Sequence, residues 1–185
     1  MIFKISRAFC VVVACAIGTI SVAQESSNRV AANTDWSVFT EDSPKECWAV
    51  SAPKETVNTK DGQTVAVRRS EVLLMVFFRP GASAQGQVTF TGGYPFASGS
   101  TVDMDIAGTT FTLFTKSEGK CEDEDECEWA WPATLEDDAK IVAAMKRGAD
   151  TTLTARSGRG TQTADKFSLL GFTAAEEDAS KRCAG

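Results

Sequence analysis

The chain has 185 residues, a formal charge of −6 and no histidine. Without histidine it lacks the commonest general base, the usual serine and cysteine triads and the favoured ligand of most zinc and copper sites. Its net acidity argues against nucleic acid as a partner, because neutralising phosphates takes clustered Lys and Arg.

Residues 1–23 open with Lys4 and Arg7, run through an apolar stretch from Ala8 to Ile17, and end in Ser21-Val22-Ala23. That is the pattern of a secretory signal peptide cut after Ala23, too short to be a comfortable membrane span. Val12-Val13-Ala14-Cys15 loosely fits a lipoprotein box, so anchoring at Cys15 is the alternative. Removing the signal takes two of the nineteen basic residues and no acidic ones, leaving a formal charge of −8. About 160 residues remain, enough for a single domain with its own core. No transmembrane segment is expected in that mature chain, which is assigned to the periplasm or the exterior.

Residues 24–34 are polar and aperiodic and read as a flexible leader, with a single β-rich domain from 35 to 185. Trp36–Phe39 and Cys47–Val50 are short strands with a turn at Asp42-Ser43-Pro44. Thr64–Arg68 alternates as a strand with one wet face, and Glu71–Phe78 (EVLLMVFF) fits a central strand. Gln87–Phe90 follows, then turn chemistry over Thr91–Thr101 holding Tyr94 and Phe96. Thr101–Ile106 and Thr109–Phe114 flank Ala107-Gly108 as a tight hairpin.

Cys121 and Cys127 bracket Glu-Asp-Glu-Asp-Glu. Four cysteines in an exported chain read as two disulfides with three possible connectivities. The six-residue spacing favours a local Cys121–Cys127 loop, and by elimination Cys47 then pairs with Cys183. A zinc site is disfavoured by the absence of a Cys-x-x-Cys pair. Five adjacent carboxylates mostly repel one another and face water; a calcium site would need alternating ligands and a turn glycine. No metal or cofactor is therefore expected.

Trp129 and Trp131 lie one residue apart and share a strand face. Buried core is the plainer reading; if exposed, they would form with Tyr94 and Phe96 a candidate interaction surface. Trp48 is a further aromatic on its strand. A helix from Thr134 to Arg147 is predicted, with Leu135, Val142 and Met145, beside Ile141, facing the core. Thr152–Arg156 and Phe167–Phe172 then form a hairpin with a long basic, Gly-rich loop from Arg156 to Lys166, read as a solvated tip. Thr173 and Glu176 make a capping box for a final helix in which Ala175, Ala179 and Cys183 share one face. The fold class is mainly β: an antiparallel sandwich or barrel-like domain with one or two peripheral helices, stapled by disulfides.

Lys146 and Gly148 at a helix end, then Ser168-Leu169-Leu170-Gly171-Phe172 running into Ala174-Ala175, resemble the C-terminal half of the invasion-associated locus B family of small exported alphaproteobacterial proteins. Asp35-Trp36-Ser37-Val38, with Cys47 beyond it, resembles that family's opening strand. The cysteine often found soon after this tryptophan is replaced here by Phe39-Thr40. The resemblance implies a fold and an exported location more than an activity. Together with the residues, it points to a non-catalytic interaction protein with an unknown protein partner in the envelope or on a host surface. A small-ligand module built around Tyr94 and Phe96 is the alternative. A hydrolase working through two carboxylates in a cleft is the second.

Overall fold

The computed structural model describes residues 28–82, 84–116 and 127–184. Among these, twelve strands pair antiparallel in one sheet of order β1-β2-β3-β6-β7-β10-β9-β8-β11-β12-β4-β5. The strands are β1 (Arg29–Asn33), β2 (Trp36–Asp42), β3 (Lys45–Ser51), β4 (Glu55–Lys60), β5 (Gln63–Thr64), β6 (Leu73–Arg79), β7 (Ala84–Thr91), β8 (Thr101–Ile106), β9 (Thr109–Thr115), β10 (Trp129–Trp131), β11 (Asp150–Arg156) and β12 (Gln162–Ser168). Two helices accompany them, α1 (Leu135–Met145) and α2 (Phe172–Ala184).

Period-two alternation sets which face is buried, and the register keeps it consistent across strands. Val38, Ala49, Val76 and Val88 stand opposite one another on successive strands, and all are fully buried. In the other half Met104 faces Leu153, which faces Asp165. The two halves curl onto one core: Phe90 of β7 meets Phe167 of β12 edge-on at 6.2 Å, although the two strands lie five places apart in the sheet. Helix α2 packs on β2 and β3, where Cys183 is disulfide-bonded to Cys47 with Cα atoms 5.7 Å apart. Ala175 and Ala179 are buried on the same face, as their spacing predicts. The mainly antiparallel, disulfide-stapled fold is thus the one expected.

The two segments that carry the family resemblance dock on each other. Trp36 donates its indole N–H to the carbonyl of Ser168 at 3.0 Å, and its ring lies 4.8 Å from that of Phe172. Asp35 N–H donates to Leu170 O. Gly171 has φ +90°, and a Cβ there would fall 2.0 Å from Asn33 O, so the close approach requires glycine.

Several local expectations are corrected. The leader is not loose from Arg29 onward, because Arg29–Asn33 adds an edge strand to β2. Only Thr64 of the predicted Thr64–Arg68 strand is in the sheet, while Glu55–Lys60, whose one large apolar residue is the exposed Val57, pairs with β12. The second strand of the C-terminal hairpin is Gln162–Ser168, so the basic loop shrinks to a tip around 157–161. Helix α2 already includes Phe172, so Thr173 sits inside it rather than capping it.

Thr134 does cap α1, accepting from Asp137 N–H. Its core face, however, is Asp138, Ile141 and Met145, with Leu135 exposed. Asp138 accepts from Val88 N–H at 2.8 Å, satisfying a ladder donor that β10, paired only further along β7, does not reach. Burial pushes the Asp138 carboxyl above the usual carboxylate range. The folded state therefore favours its protonated form, and its contribution to stability falls as pH rises through the interval above the ordinary value of 3.8. Asp138→Asn keeps an acceptor and carries no charge, so it should raise Tm at pH 7, with the gain vanishing in acid. Asp138→Ala should cost about 1–3 kcal/mol by leaving Val88 N–H unsatisfied. Thermal melts of both variants at two pH values check this.

Candidate functional site

A half-open groove of about 730 Å³ opens on the surface of the described residues. One wall is the run from Ala66 to Ser70, and the other is the β11–β12 tip with Ser157, Gly158, Arg159 and Thr161. Tyr94, Pro95 and Thr163 lie between them.

Its framework is polar and closed. Arg69 and Asp165, only 7% and 0% exposed as side chains, form a two-pronged ion pair with N–O distances of 2.8 and 2.6 Å. Arg69 Nε also donates to Gly92 O, and Thr56 donates its hydroxyl to Asp165. One guanidinium thereby ties three separate pieces of chain: the 66–70 run, the Gly-rich loop and β12. The Arg69 guanidinium also lies 5.0 Å from the Tyr94 ring centroid, and Tyr94 hydroxyl is hydrogen-bonded to Thr163 at 2.6 Å. Burial raises the Tyr94 phenol above its ordinary value, so it stays protonated and neutral in physiological conditions. Gly93, at φ +68°, approaches the Ser70 carbonyl so closely that a Cβ would fall 2.7 Å from that oxygen; Ser70 N–H in turn donates to Gly93 O. Every group in this framework is engaged with another, which gives rigidity rather than a free acid or base.

The mouth is different. Val67, Arg68 and Arg159 are exposed there, and Glu128 is the single carboxylate among the lining residues. A surface of this kind can hold an elongated ligand with apolar and anionic parts.

The predicted site residues are separated. Tyr94 is half-buried in the groove. Phe96 is 7% exposed and packs on Phe90 in the core, so it is not a surface residue as expected. Trp129 and Trp131 are half-buried and flank the inward-facing Ala130, so they occupy the outer face of β10, with Trp131 opposite the exposed Phe114. Trp48 is also on an outer face, stacked on Phe39 at 5.6 Å and beside Phe77 at 5.8 Å. Cys47 and Cys183 are paired as expected, and Cys127 is disulfide-bonded. Cys121 and the acidic run at 122–126, with the cation question attached to it, lie outside the described residues. Among the described residues no cluster of three or more His, Cys, Asp or Glu could hold a metal ion. No described helix is long and apolar enough to cross a membrane.

Sequence reasoning missed the importance of Arg69, Asp165 and Thr163. The ion pair spans 96 residues, and no local spacing announces it. The basic character of the Arg156–Lys166 stretch was a usable signal for Arg159.

No curated protein matches the chain. Among solved structures it is similar to the crystal structure of invasion associated protein b from Bartonella henselae, with TM-score 0.54 and 14% identity over 84% of this chain and 98% of that one. At that identity the likeness speaks for the fold. Residues 36–180 match the family described as Invasion associated locus B (IalB) protein. That match begins at Trp36 and takes in the two docked segments, the disulfide's first cysteine and the groove, and it makes the chain a member of the IalB family.

Proposed function

We propose that this protein is an exported, non-catalytic interaction protein, acting as one domain from Arg29 onward in the periplasm or outside the cell after cleavage near Ala23. Its partner is a protein of the envelope or of a host surface, and the Tyr94 groove is the docking face. The observation that carries this reading is a recess whose interior groups are locked to one another while its rim exposes Val67, Arg68 and Arg159. The small-ligand alternative needs an enclosed apolar pocket reaching Phe96, and Phe96 instead fills the core. The hydrolase alternative needs two carboxylates meeting in a cleft, and Asp165 is held by Arg69. Trp129 and Trp131 are proposed as a secondary contact on the neighbouring outer face.

The test is capture of partners from envelope extracts by the tagged protein, compared with Val67→Trp, which narrows the groove from an exposed position. One reproducible protein partner, reduced at least tenfold by Val67→Trp, is expected. A partner retained by Val67→Trp but lost with Trp129→Ala/Trp131→Ala would move the docking face to β10. A co-purifying small molecule with no protein would favour the binding module.

A further inference from the structure

Two independent features converge on the groove wall. The first is an unfinished strand. Thr64-Val65-Ala66-Val67-Arg68 alternates like a strand, yet its last backbone ladder contact is Val65 N–H to Asn58 O. Among the described residues Ala66, Val67 and Arg68 make no backbone hydrogen bond, and the run is neither helix nor turn. All three residues are exposed, and the next anchored backbone group is Ser70 N–H. A strand-patterned run with unpaired N–H and C=O groups is a template for another strand.

The second feature is charge. Most described cations are committed, as in Lys54–Asp35, Arg79–Glu46, Lys146–Glu176 and Lys166–Asp150. Lys60, Arg68, Arg147, Arg156 and Arg159 make no ion pair or side-chain hydrogen bond among the described residues. Four of these five lie at the end of the sheet where β4 turns into β5 and β11 turns into β12, and two of them, Arg68 and Arg159, line the groove. Uncommitted guanidinium groups on a chain of net charge −6 mark a local attraction for anions against the field of the whole molecule.

We infer that the groove receives an acidic, extended polypeptide segment, which adds as a strand along Ala66–Arg68 and places its carboxylates on Arg68 and Arg159. This rests on the docking reading above and names the chemistry of the partner. Arginine suits the task because its planar fork binds a carboxylate through two parallel hydrogen bonds. Three residues from Ala66 to Arg68 offer about 10 Å of ladder at about 3.4 Å per residue. A recess between two loops fits a single chain better than a flat anionic bilayer, which the acidic remainder of the protein would repel.

The experiment is selection of a random decapeptide library on the immobilised full-length protein. Selected peptides are resynthesised and measured by fluorescence anisotropy, alongside phosphatidylglycerol vesicles. Enrichment of Asp and Glu is expected. Arg68→Glu/Arg159→Glu should weaken the best peptide at least tenfold while leaving Tm unchanged, since neither side chain is paired. N-methylation of alternate peptide nitrogens should weaken one phase of the ladder at least tenfold and spare the other. Neutral or basic winners, affinity that survives the double charge reversal, indifference to N-methylation in both phases, or vesicle binding without peptide binding would each overturn the inference. A partner that is lost with Val67→Trp but unaffected by Arg68→Glu/Arg159→Glu would defeat the inference and leave the docking face standing.

Discussion

Cys183→Ser should lower stability by about 5 kcal/mol, the largest loss of any single substitution considered. The bond closes a loop with a sequence separation of 136, and loop-closure entropy of the unfolded chain grows with the logarithm of that length. Both cysteines are nearly inaccessible, so a hydroxyl at 183 also enters a buried apolar setting between α2 and β3. The short bridge expected from Cys121 to Cys127 would contribute only about 2 kcal/mol on the same reasoning. Urea denaturation of Cys183→Ser and Cys127→Ser separates the two, with the m-value fitted for each variant because releasing a cross-link expands the unfolded chain. Equal losses would show that closing the long loop does not govern stability here.

Arg69→Met should cost about 3–5 kcal/mol, because it leaves the fully buried Asp165 carboxylate without its counter-ion. It also removes the donor to Gly92 O, loosening the Gly-rich loop that carries Tyr94. The companion Arg69→Met/Asp165→Leu removes both charges and should recover part of the loss, since burying an ion pair is itself costly. If the double variant is no better than the single, packing rather than the stranded charge explains the effect. A loss under about 1 kcal/mol for Arg69→Met would contradict the groove framework described here.

Residues that interact with near neighbours were readable from the chain. The Glu71–Phe78 run does supply an interior strand, β6, shifted to Leu73–Arg79, and Ala107-Gly108, both at positive φ, does turn the β8–β9 hairpin. Thr134 opens α1 because its hydroxyl reaches Asp137 N–H three residues on. Strands at or next to an edge of the sheet were harder to read. Arg29–Asn33 and Glu55–Lys60 carry little apolar pattern, since one or both of their faces are wet, and only their partners hold them in the sheet. Thr64–Arg68 shows the opposite failure: it has the pattern throughout, yet among the described residues Ala66–Arg68 find no backbone partner.

The groove was legible in pieces. Tyr94 and the basic tip are each visible in the chain, but nothing local says that they face each other. That juxtaposition depends on the curl of the sheet and on Arg69 reaching Asp165. Phe96 looked equivalent to Tyr94 in a glycine-rich loop, yet one residue points into the core and the other lines the groove. Trp129 and Trp131 did share a face, as alternation requires, but Ala130 took the core side.

Site-specific photocrosslinking from position 67 in intact cells tests the central claim most directly. A photoreactive amino acid is placed at Val67 on the groove rim and, as a control, at Leu135, which is 67% exposed on α1. A discrete protein adduct from position 67 and none from position 135 is the predicted result. No adduct from position 67, or the same adduct from both positions, would contradict a docking role for the groove.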